Sequence, residues 1–392
     1  MFEKVRIGDL GEIYTGNTPS KKNKEFYATE DIMFIKPDIL SFDIRFIDKS
    51  NEYISEKAKE KARVIPKGSL LVSCIGNIGK LGINNEEVAF NQQINAIIHN
   101  NKICSSKYLA YLLKYNQKKL EAIANAPVVP IINKSQFSDF EVVIHKELFE
   151  QKQLVEILDK AQQLIDKRKE QIEALDELVK SKFIEMFGDP FKDEKGYGIK
   201  RLGEVTEVNP KKSEVKELDK ELIVSFVPMD RIGEKGEFEP EVSKPISEVY
   251  SGFTYFKDND VLFAKITPCM ENGKGAIAIN LSNGIGFGST EFHVLRPIED
   301  NSNPYWIYHL TTLIEFRRLA ERKMTGSAGQ KRVPTDFLNN VEVVIPPIEF
   351  QNKFENFVKQ VDKLKFEMEK SLKELEDNFN SLMQRAFNGE LF

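Results

Sequence analysis

Two long stretches of the chain repeat positions at alternating steps of four and three, and all but one of these positions in each stretch are apolar. The first set is Leu154, Leu158, Ala161, Ile165, Ile172, Leu175 and Val179, and the second is Phe354, Val358, Val361, Met368, Leu372, Leu375 and Phe379. A period of 3.5 residues among Lys, Glu and Gln is typical of the apolar seam of a coiled coil. Each stretch is therefore predicted to be a helix on the order of 50 Å long, at 1.5 Å rise per residue.

The seam also contains two polar residues, Arg168 and Lys365. Such residues either set the register of a helix pair at some cost in stability or extend their charged ends to the edge of the seam. We expect the second behaviour. A helix with an apolar seam needs a partner, which is either a second copy of the chain or the other long helix. We expect the two helices of one chain to pair, because a domain between them can return the chain for an antiparallel arrangement.

Short apolar runs between polar loops predict strands at residues 69–73, 95–98, 261–264, 276–279 and 291–295. Helical patterns are predicted near residues 106–122 and 303–322. Loops rich in Gly, Asn and Lys separate the strands, as in 75–80 and 271–275. These elements predict α+β domains, each with a curved and mostly antiparallel sheet.

The strands and helices occur twice in the same order. Residues 9–13, DLGEI, correspond to residues 201–205, RLGEV, and residues 140–144, FEVVI, correspond to residues 341–345, VEVVI. The offset between the copies grows from 192 to about 200, and it is 200 along the whole seam. This pattern indicates a tandem duplication with insertions in the loops of the second copy.

The duplication predicts four segments: a first globular domain over 1–145, a central long helix over 146–188, a second globular domain over 189–345 and a distal long helix over 346–392. The predicted fold is therefore α+β, with two tandem α/β domains separated by two long helices. The helices are expected to form an intramolecular antiparallel coiled coil with pseudo-twofold symmetry.

Composition narrows the class of protein. Hydrophobic residues make up 41% and charged residues 30% of the chain, which is typical of folded domains. The net charge of −5 argues against a polycation that wraps nucleic acid, although loops such as 21–24 are locally basic. Three distant cysteines predict a reducing, cytoplasmic location without a disulfide framework. No apolar run approaches the roughly 20 residues of a membrane helix.

Catalytic and metal motifs are not found. The four histidines show no metal-ligand spacing, and no GxxxxGK[ST] phosphate loop is present. Adenine methyltransferases carry an (Asn/Asp)-Pro-Pro-aromatic motif, but residues 303–306, NPYW, lack the second proline. The glycines of residues 284–288 precede a strand, whereas a cofactor loop follows one. We therefore expect a non-enzymatic chain without a cofactor of its own, and a self-contained methyltransferase or nuclease remains the alternative.

Several strings resemble the specificity subunits of type I restriction-modification systems. In the second copy they are VPMDR at 227–231, FAKITPCMENGKGA at 263–276, STEFHVLRP at 289–297 and TGSAGQKRVP at 325–334. In the first copy they are IGDLGEIYTGNTPSK at 7–21, IGNIGKLGI at 75–83 and NQQINAI at 91–97. The resemblance covers nearly the whole chain and depends on the set and its order.

The resemblance implies a reader of double-stranded DNA. In that family each globular domain is a target-recognition domain for one half of an asymmetric bipartite site, and the helix pair sets the spacing of the halves. The helices also dock two modification subunits, which methylate adenine with S-adenosylmethionine, and motor-nuclease restriction subunits complete the complex. A coiled-coil adaptor that binds no nucleic acid is the other alternative.

Candidate DNA contacts are polar loop residues in both copies. Lysine and arginine suit phosphates and guanine edges, asparagine and glutamine suit adenine, and threonine and serine suit either. The candidates are Asn17, Thr18, Lys21, Lys22, Lys80, Gln92, Gln93, Lys211, Lys212, Thr267, Asn272, Lys274, Ser289, Thr290, Thr325, Ser327, Gln330, Lys331 and Arg332. The two copies differ most where residues 325–334 correspond to residues 125–130. This segment is apolar in the first copy, and we expect it to account for the difference in base reading.

Overall fold

The computed structural model describes residues 2–124, 129–240, 242–327 and 329–391. It divides into two compact units. The first unit comprises Met1–Lys169 and Lys370–Phe392, and the second comprises Glu170–Glu369. Each long helix therefore contributes one part to each unit.

The first unit contains eleven strands among its described residues. They are β1 (Phe2–Arg6), β2 (Gly11–Thr15), β3 (Ile32–Ile35), β4 (Phe46–Ile47), β5 (Tyr53–Ile54), β6 (Val64–Ile65), β7 (Leu70–Ser73), β8 (Leu81–Asn84), β9 (Val88–Phe90), β10 (Ile94–His99) and β11 (Glu141–His145). Its helices are α1 (Ser106–Tyr115), α2 (Gln117–Ala122), α3 (Lys134–Ser138) and the first part of α4 (Leu148–Phe187). The sheets have the strand orders β2-β10-β7-β8-β4, β5-β3-β9-β6 and β1-β11.

Strand β7 contributes side chains to two different hydrophobic cores. All four of its residues are buried, and successive side chains of a strand point to opposite faces. Leu70 and Val72 belong to the core that contains α1, while Leu71 belongs to the core beneath the second sheet. A strand that is covered on both faces has a continuous apolar run, which is the pattern of this segment.

The second unit contains ten strands among its described residues. They are β12 (Ile199–Arg201), β13 (Thr206–Val208), β14 (Ile223–Val227), β15 (Ser243–Pro245), β16 (Thr254–Lys257), β17 (Val261–Ala264), β18 (Gly275–Ile277), β19 (Ile285–Gly288), β20 (Phe292–Pro297) and β21 (Glu342–Val344). Its helices are the last part of α4, α5 (Ile246–Val249), α6 (Pro304–Thr312), α7 (Ile314–Lys323), α8 (Thr335–Asn340) and the first part of α9 (Ile348–Asn388). The sheets have the strand orders β13-β20-β17-β18, β15-β14-β19-β16 and β12-β21.

The expectation of one curved sheet per domain is wrong, because the described residues of each unit form three sheets. Most strand pairs are antiparallel, but β3–β9, β4–β8 and β14–β19 are parallel. The predicted helices near 106–122 and 303–322 are each interrupted. Asn116 caps α1 by donating from Nδ2 to the Leu112 carbonyl, and Leu313 leaves the helical region with ψ of 139°. Such local breaks depend on backbone angles that an apolar period does not reveal.

The long helices run antiparallel within the first unit. Lys169 of α4 forms an ion pair of 3.1 Å with Glu376 of α9. At the other end, the ring of Phe387 near the end of α9 lies 6.2 Å from His145, just before α4 begins. The end of α9 therefore lies beside the start of α4.

The same direction holds within the second unit. Phe183 and Phe187, near the end of α4, each place their rings 5.4 Å from Phe354, near the start of α9. Lys365 Nζ lies 2.6 Å from Asp176 Oδ1 across the pair. The charged end of Lys365 is thus bound to a carboxylate of the other helix.

The seam residues are buried to different degrees. Leu154, Leu158, Ile165, Leu175, Val179, Phe354, Val358, Val361 and Phe379 are buried, while Ala161, Ile172, Met368, Leu372 and Leu375 are partly exposed. The buried seam also continues beyond its predicted ends, at Phe183, Phe187, Met383, Ala386 and Phe387. Phe379 contacts Tyr111 of α1 and Phe354 contacts His309 of α6, so the seam belongs to the cores of the globular domains as well as to the helix pair.

Candidate nucleic-acid interface

Three loops of the first unit meet beyond the end of β7. The amide of Cys74 donates to the Gln93 carbonyl at 2.8 Å, and the amide of Ile132 donates to the Cys74 carbonyl at 2.9 Å. Further out, the amide of Gly76 donates to the Pro130 carbonyl at 2.9 Å. These bonds join the segment after β7, the β9–β10 loop and the segment before α3.

The second unit contains the same three bonds beyond the end of β17. The amide of Lys265 donates to the Glu291 carbonyl, the amide of Val333 to the Lys265 carbonyl, and the amide of Thr267 to the Lys331 carbonyl, at 2.9, 2.9 and 3.1 Å. Cys74 thus corresponds to Lys265, and Gln93 corresponds to Glu291. The duplication therefore includes the scaffold of these loops, which we call the loop junction of each unit.

A short hairpin forms part of the loop junction in the second unit. Thr325 and Arg332 exchange backbone hydrogen bonds of 3.0 and 2.8 Å. Ser327, Gln330 and Lys331 lie at its exposed end. The hairpin thereby collects five of the candidate residues and places them beside a sixth, Thr267.

An ion pair ties this hairpin to the β19–β20 loop. Arg332 Nη2 and Nε donate to the carboxylate of Glu291 at 2.8 and 2.9 Å, and Arg332 Nη1 donates to the Gln330 carbonyl at 3.0 Å. The hydrogen bond with Arg332 holds the pKa of Glu291 below its ordinary value, so the carboxylate stays ionised. Burial lowers the pKa of the neighbouring Lys265, while the charge of Glu291 acts in the opposite direction.

The buried side chain of His293 forms hydrogen bonds beside the loop junction of the second unit. His293 Nε2 lies 2.7 Å from the Val333 carbonyl, and His293 Nδ1 lies 3.1 Å from Asn209 Nδ2. Burial lowers the pKa of His293 to about 4, so the imidazole is neutral at pH 7. A neutral ring that donates from Nε2 can accept at Nδ1 from the Asn209 amide, which satisfies both nitrogens.

Asn95 occupies the corresponding place in the first unit. Its Oδ1 accepts from Thr15 Oγ1 at 2.6 Å, and its Nδ2 donates to Cys74 Sγ at 3.2 Å. Burial raises the pKa of Cys74 to about 12, which keeps the thiol protonated. The two units therefore support one backbone scaffold with different side chains.

The glutamine and asparagine candidates of the first unit differ in availability. Asn17 uses its amide for the protein backbone, donating to the Lys61 carbonyl and accepting from the Arg63 amide, both at 2.6 Å. Thr18 donates to Gln92 Oε1 at 2.8 Å, and Gln93 Oε1 accepts from Asn91 at 2.8 Å. Gln92 is exposed, so it is the better-placed reader of the group.

Several lysine candidates contact other groups of the protein or lie exposed in turns. Lys21 lies 3.9 Å from a Glu52 carboxylate oxygen, and Lys22 is exposed in a turn. The Lys80 ammonium lies 5.8 Å from the centre of the Phe42 ring. Lys212 donates to the Tyr250 carbonyl at 2.9 Å, and Lys211 beside it is exposed.

The β17–β18 loop is held by an arginine that sequence reasoning missed. Arg317 is buried and donates to the carbonyls of Met270 and Gly273 at 3.0 and 3.2 Å. Burial lowers the pKa of Arg317 to about 10. The same loop carries three candidates: Thr267 donates to Glu271 at 2.7 Å, Lys274 Nζ lies 3.4 Å from the Met229 carbonyl, and Asn272 is exposed.

The two remaining candidates, Ser289 and Thr290, directly precede Glu291 in the chain. Ser289 Oγ accepts from the Glu291 amide at 3.2 Å, and Thr290 between them is exposed. Glu291 and His293 stood within the STEFHVLRP string, but neither was assigned a role from sequence. The apolar segment expected to distinguish the first copy lies partly outside the described residues, since 125–128 are not among them.

Two further features concern the described residues as a whole. No group of three or more His, Cys, Asp and Glu side chains there is arranged to hold a metal ion. None of the helices in that part of the chain combines the length and the apolar character that crossing a bilayer requires.

The sequence matches the family model for the type I restriction modification DNA specificity domain twice, over residues 1–175 and 194–377. It is 41% identical over 166 residues to the type I restriction enzyme EcoAI specificity subunit of Escherichia coli, covering 42% of this chain and 28% of that one. It is 21% identical over 414 residues to the MjaVIII specificity subunit of Methanocaldococcus jannaschii, covering 100% and 93%. The chain thus spans little more than a quarter of the EcoAI subunit, but nearly all of the MjaVIII subunit.

Two solved structures are similar over nearly their whole length. One, from a study of complex assembly and conformational transition in the type I R-M system, has a TM-score of 0.61 at 15% identity and covers 100% of this chain and 98% of that one. The other is the S subunit of a type I restriction-modification system from M. genitalium, with a TM-score of 0.51 at 14% identity and coverage of 99% and 96%. At such identities the likeness concerns the fold alone.

Proposed function

The chain belongs to the type I restriction-modification DNA specificity family, and we propose that it reads an asymmetric bipartite DNA site without catalysing a reaction itself. One observation carries this proposal. The two units contain the same loop junction, built by equivalent backbone bonds around Cys74 and Lys265, but they present different side chains on it. Two domains that have the same loop scaffold but different exposed side chains are suited to recognise two different half-sites.

The globular segments over 1–145 and 189–345 are the proposed target-recognition domains. Their loop junctions carry exposed Gln92 in the first and exposed Gln330 and Lys331 in the second. Glutamine can pair with adenine through one donor and one acceptor, and lysine can contact phosphate or guanine. The reading of half-sites by these loops is therefore chemically consistent with the groups that each unit exposes.

The two long helices are the proposed spacer between the half-sites. Half-sites read from one side of DNA lie about one helical turn, roughly 34 Å, apart. Helix α4 has 40 residues and α9 has 41. At 1.5 Å per residue each is about 60 Å long, which is sufficient for that separation.

The outer faces of the same helices are the proposed docking surface for two modification subunits. Outside the seam, α4 exposes Leu164 and Leu178, and α9 exposes Leu364 and Phe366, the last to 65%. We propose these residues as the apolar part of that surface, because exposed apolar patches mark protein–protein interaction sites. The modification subunits would supply S-adenosylmethionine and the adenine methylation, and motor-nuclease subunits would join that complex.

Domain exchange tests the proposal. Residues 190–345 are replaced by the corresponding domain of another specificity subunit, the chain is assembled with its modification partner, and methylated adenines are mapped on genomic DNA. We expect one half-site to change and the other to remain. A change in both halves would contradict independent reading. Methylation by the purified chain alone would support the enzyme alternative, and the absence of sequence-specific DNA binding at any salt concentration would support the adaptor.

A further inference from the structure

The Arg332–Glu291 pair leaves a defined part of the guanidinium available. An arginine has five N–H donors, of which the contacts to Glu291 and Gln330 use one each on Nε, Nη2 and Nη1. Two donors remain, one on each terminal nitrogen. The Arg332 side chain is 42% exposed, so it lies at the protein surface.

We propose that Arg332, held in place by Glu291, reads a guanine in the half-site recognised by the second unit. This inference rests on the proposed function and names one base contact within it. Guanine presents two adjacent acceptors, O6 and N7, in the major groove, and paired donors of arginine match them. Adenine presents an amino donor in place of O6, so one of the two arginine donors would face another donor.

The carboxylate favours a base contact over a phosphate contact. Glu291 stays ionised beside the guanidinium, so the pair carries little net charge toward a phosphate. Glu291 also restrains the arginine side chain, which otherwise loses rotamer entropy on binding. A neutralised and restrained arginine gains less from a phosphate and more from a directional acceptor pair. Glu291 is therefore a positioning residue.

The first unit shows that the loop junction does not need this pair. Gln93 stands at the position of Glu291 on the backbone ladder. Ile131, which bridges to Ile75 as Arg332 bridges to Ile266, stands at the position of Arg332. Ile131 is 40% exposed and cannot donate a hydrogen bond from its side chain. Because the scaffold forms without the ion pair, a purely structural role for Arg332 and Glu291 is disfavoured.

The test uses the full chain assembled with its modification partner and a DNA library with both half-sites randomised. Arg332→Ala should lower the preference for guanine at one position of the second half-site by on the order of 10- to 100-fold. Preferences in the first half-site should stay as in the wild type. Arg332→Lys, which keeps the positive charge but removes the paired donors of the guanidinium, should lose most of the same preference. Glu291→Gln should weaken that preference at the same position.

Lys331→Ala is the matched control, since Lys331 is the exposed neighbour of Arg332. We expect it to weaken binding to all sequences alike and to reduce the salt dependence, as loss of a phosphate contact does. The same uniform effect from Arg332→Lys or Arg332→Ala would overturn the guanine contact. If the wild-type complex shows sequence preference in neither half-site, the proposed function itself fails, which is a different result. Should Arg332→Ala not assemble, Arg332→Lys decides the question.

Discussion

Gln151 and Gln351 lie 200 residues apart and bind the chain in the same way, each at the start of a long helix. Gln151 Nε2 donates to the carbonyls of His145 and Ile103 at 2.8 and 2.9 Å. Gln351 Nε2 donates to the carbonyls of Pro346 and Asn301 at 2.7 and 3.2 Å. Both glutamines are buried. Each therefore joins its helix to the segment just before it and to the segment that precedes α1 or α6.

Replacing Gln351 with leucine should destabilise the second unit. Gln351 also accepts from the Asn303 amide at 2.9 Å, so the substitution removes the partner of three backbone groups, of which the Asn303 amide and the Pro346 carbonyl are buried. We expect the free energy of unfolding to fall by about 2–4 kcal/mol, since a buried unpaired polar group costs about 1–3 kcal/mol. Urea unfolding followed by the fluorescence of Trp306, the single tryptophan, reports this unit because Trp306 lies in its core.

Gln151→Leu is the matched control for that substitution. Gln151 Oε1 accepts no hydrogen bond among the described residues, so fewer groups lose a partner than at Gln351. The Trp306 transition should shift less in Gln151→Leu than in Gln351→Leu, also because Gln151 lies in the first unit whereas Trp306 lies in the core of the second. An equal shift in both variants, or none in Gln351→Leu, would contradict the assignment of these bonds.

The second unit should lose stability on acidification because of His293. Burial lowers the pKa of His293 from 6.5 to about 4, so between these pH values the unfolded state binds more protons than the folded state. The contribution is full above pH 6.5 and is lost as the pH falls toward 4, by up to about 3 kcal/mol. Urea unfolding of the Trp306 transition at pH 7.5, 6.0, 5.0 and 4.0 measures this loss.

His293→Asn is the matching variant, because Asn95 occupies the corresponding place in the first unit. It removes the titrating group and keeps an amide that can donate and accept hydrogen bonds. The pH dependence should become shallower. It should not vanish, because burial also lowers the pKa of His309 in the same unit to about 4. An unchanged slope between pH 6.5 and 4 would show that His293 does not contribute as described.

Shortening both long helices tests the proposed spacer. Deleting residues 169–175 and 368–374 removes one heptad from each helix and keeps the period of the seam. Each helix becomes shorter by roughly 10 Å. We expect the recognised half-sites to stay the same while their spacing contracts or binding is lost, as measured by mapping methylated adenines. Full activity at the original spacing would exclude the spacer role.

Much of the architecture was predictable because it depends on local periodicity. The seam of α4 and α9 repeats every 3.5 residues, and β7 and β17 are short apolar runs between loops. The division of each domain into three sheets was not predictable in this way. Parallel pairs such as β3–β9 join segments more than fifty residues apart, and a strand's own sequence does not specify its partner.

The availability of the individual candidate residues was likewise not predictable from the sequence. Asn17 and Gln92 have the same chemical capacity in the sequence, yet Asn17 binds the backbone while Gln92 is exposed. Glu291 was missed because an acidic residue does not by itself indicate DNA contact. Its relevance arises from Arg332, which is 41 residues away along the chain.

The sequence by itself therefore determined the duplication, the two long helices and the family, because each is recorded in periodic or ordered residue patterns. Tertiary packing decided which polar groups remain available. Hydrogen bonds between distant loops bring Arg332 to Glu291 and place Ile131 at the equivalent position of the first unit. Such bonds depend on three-dimensional contacts, in which residues distant along the chain compete for the same donors and acceptors, and a linear pattern of residue types does not specify their outcome.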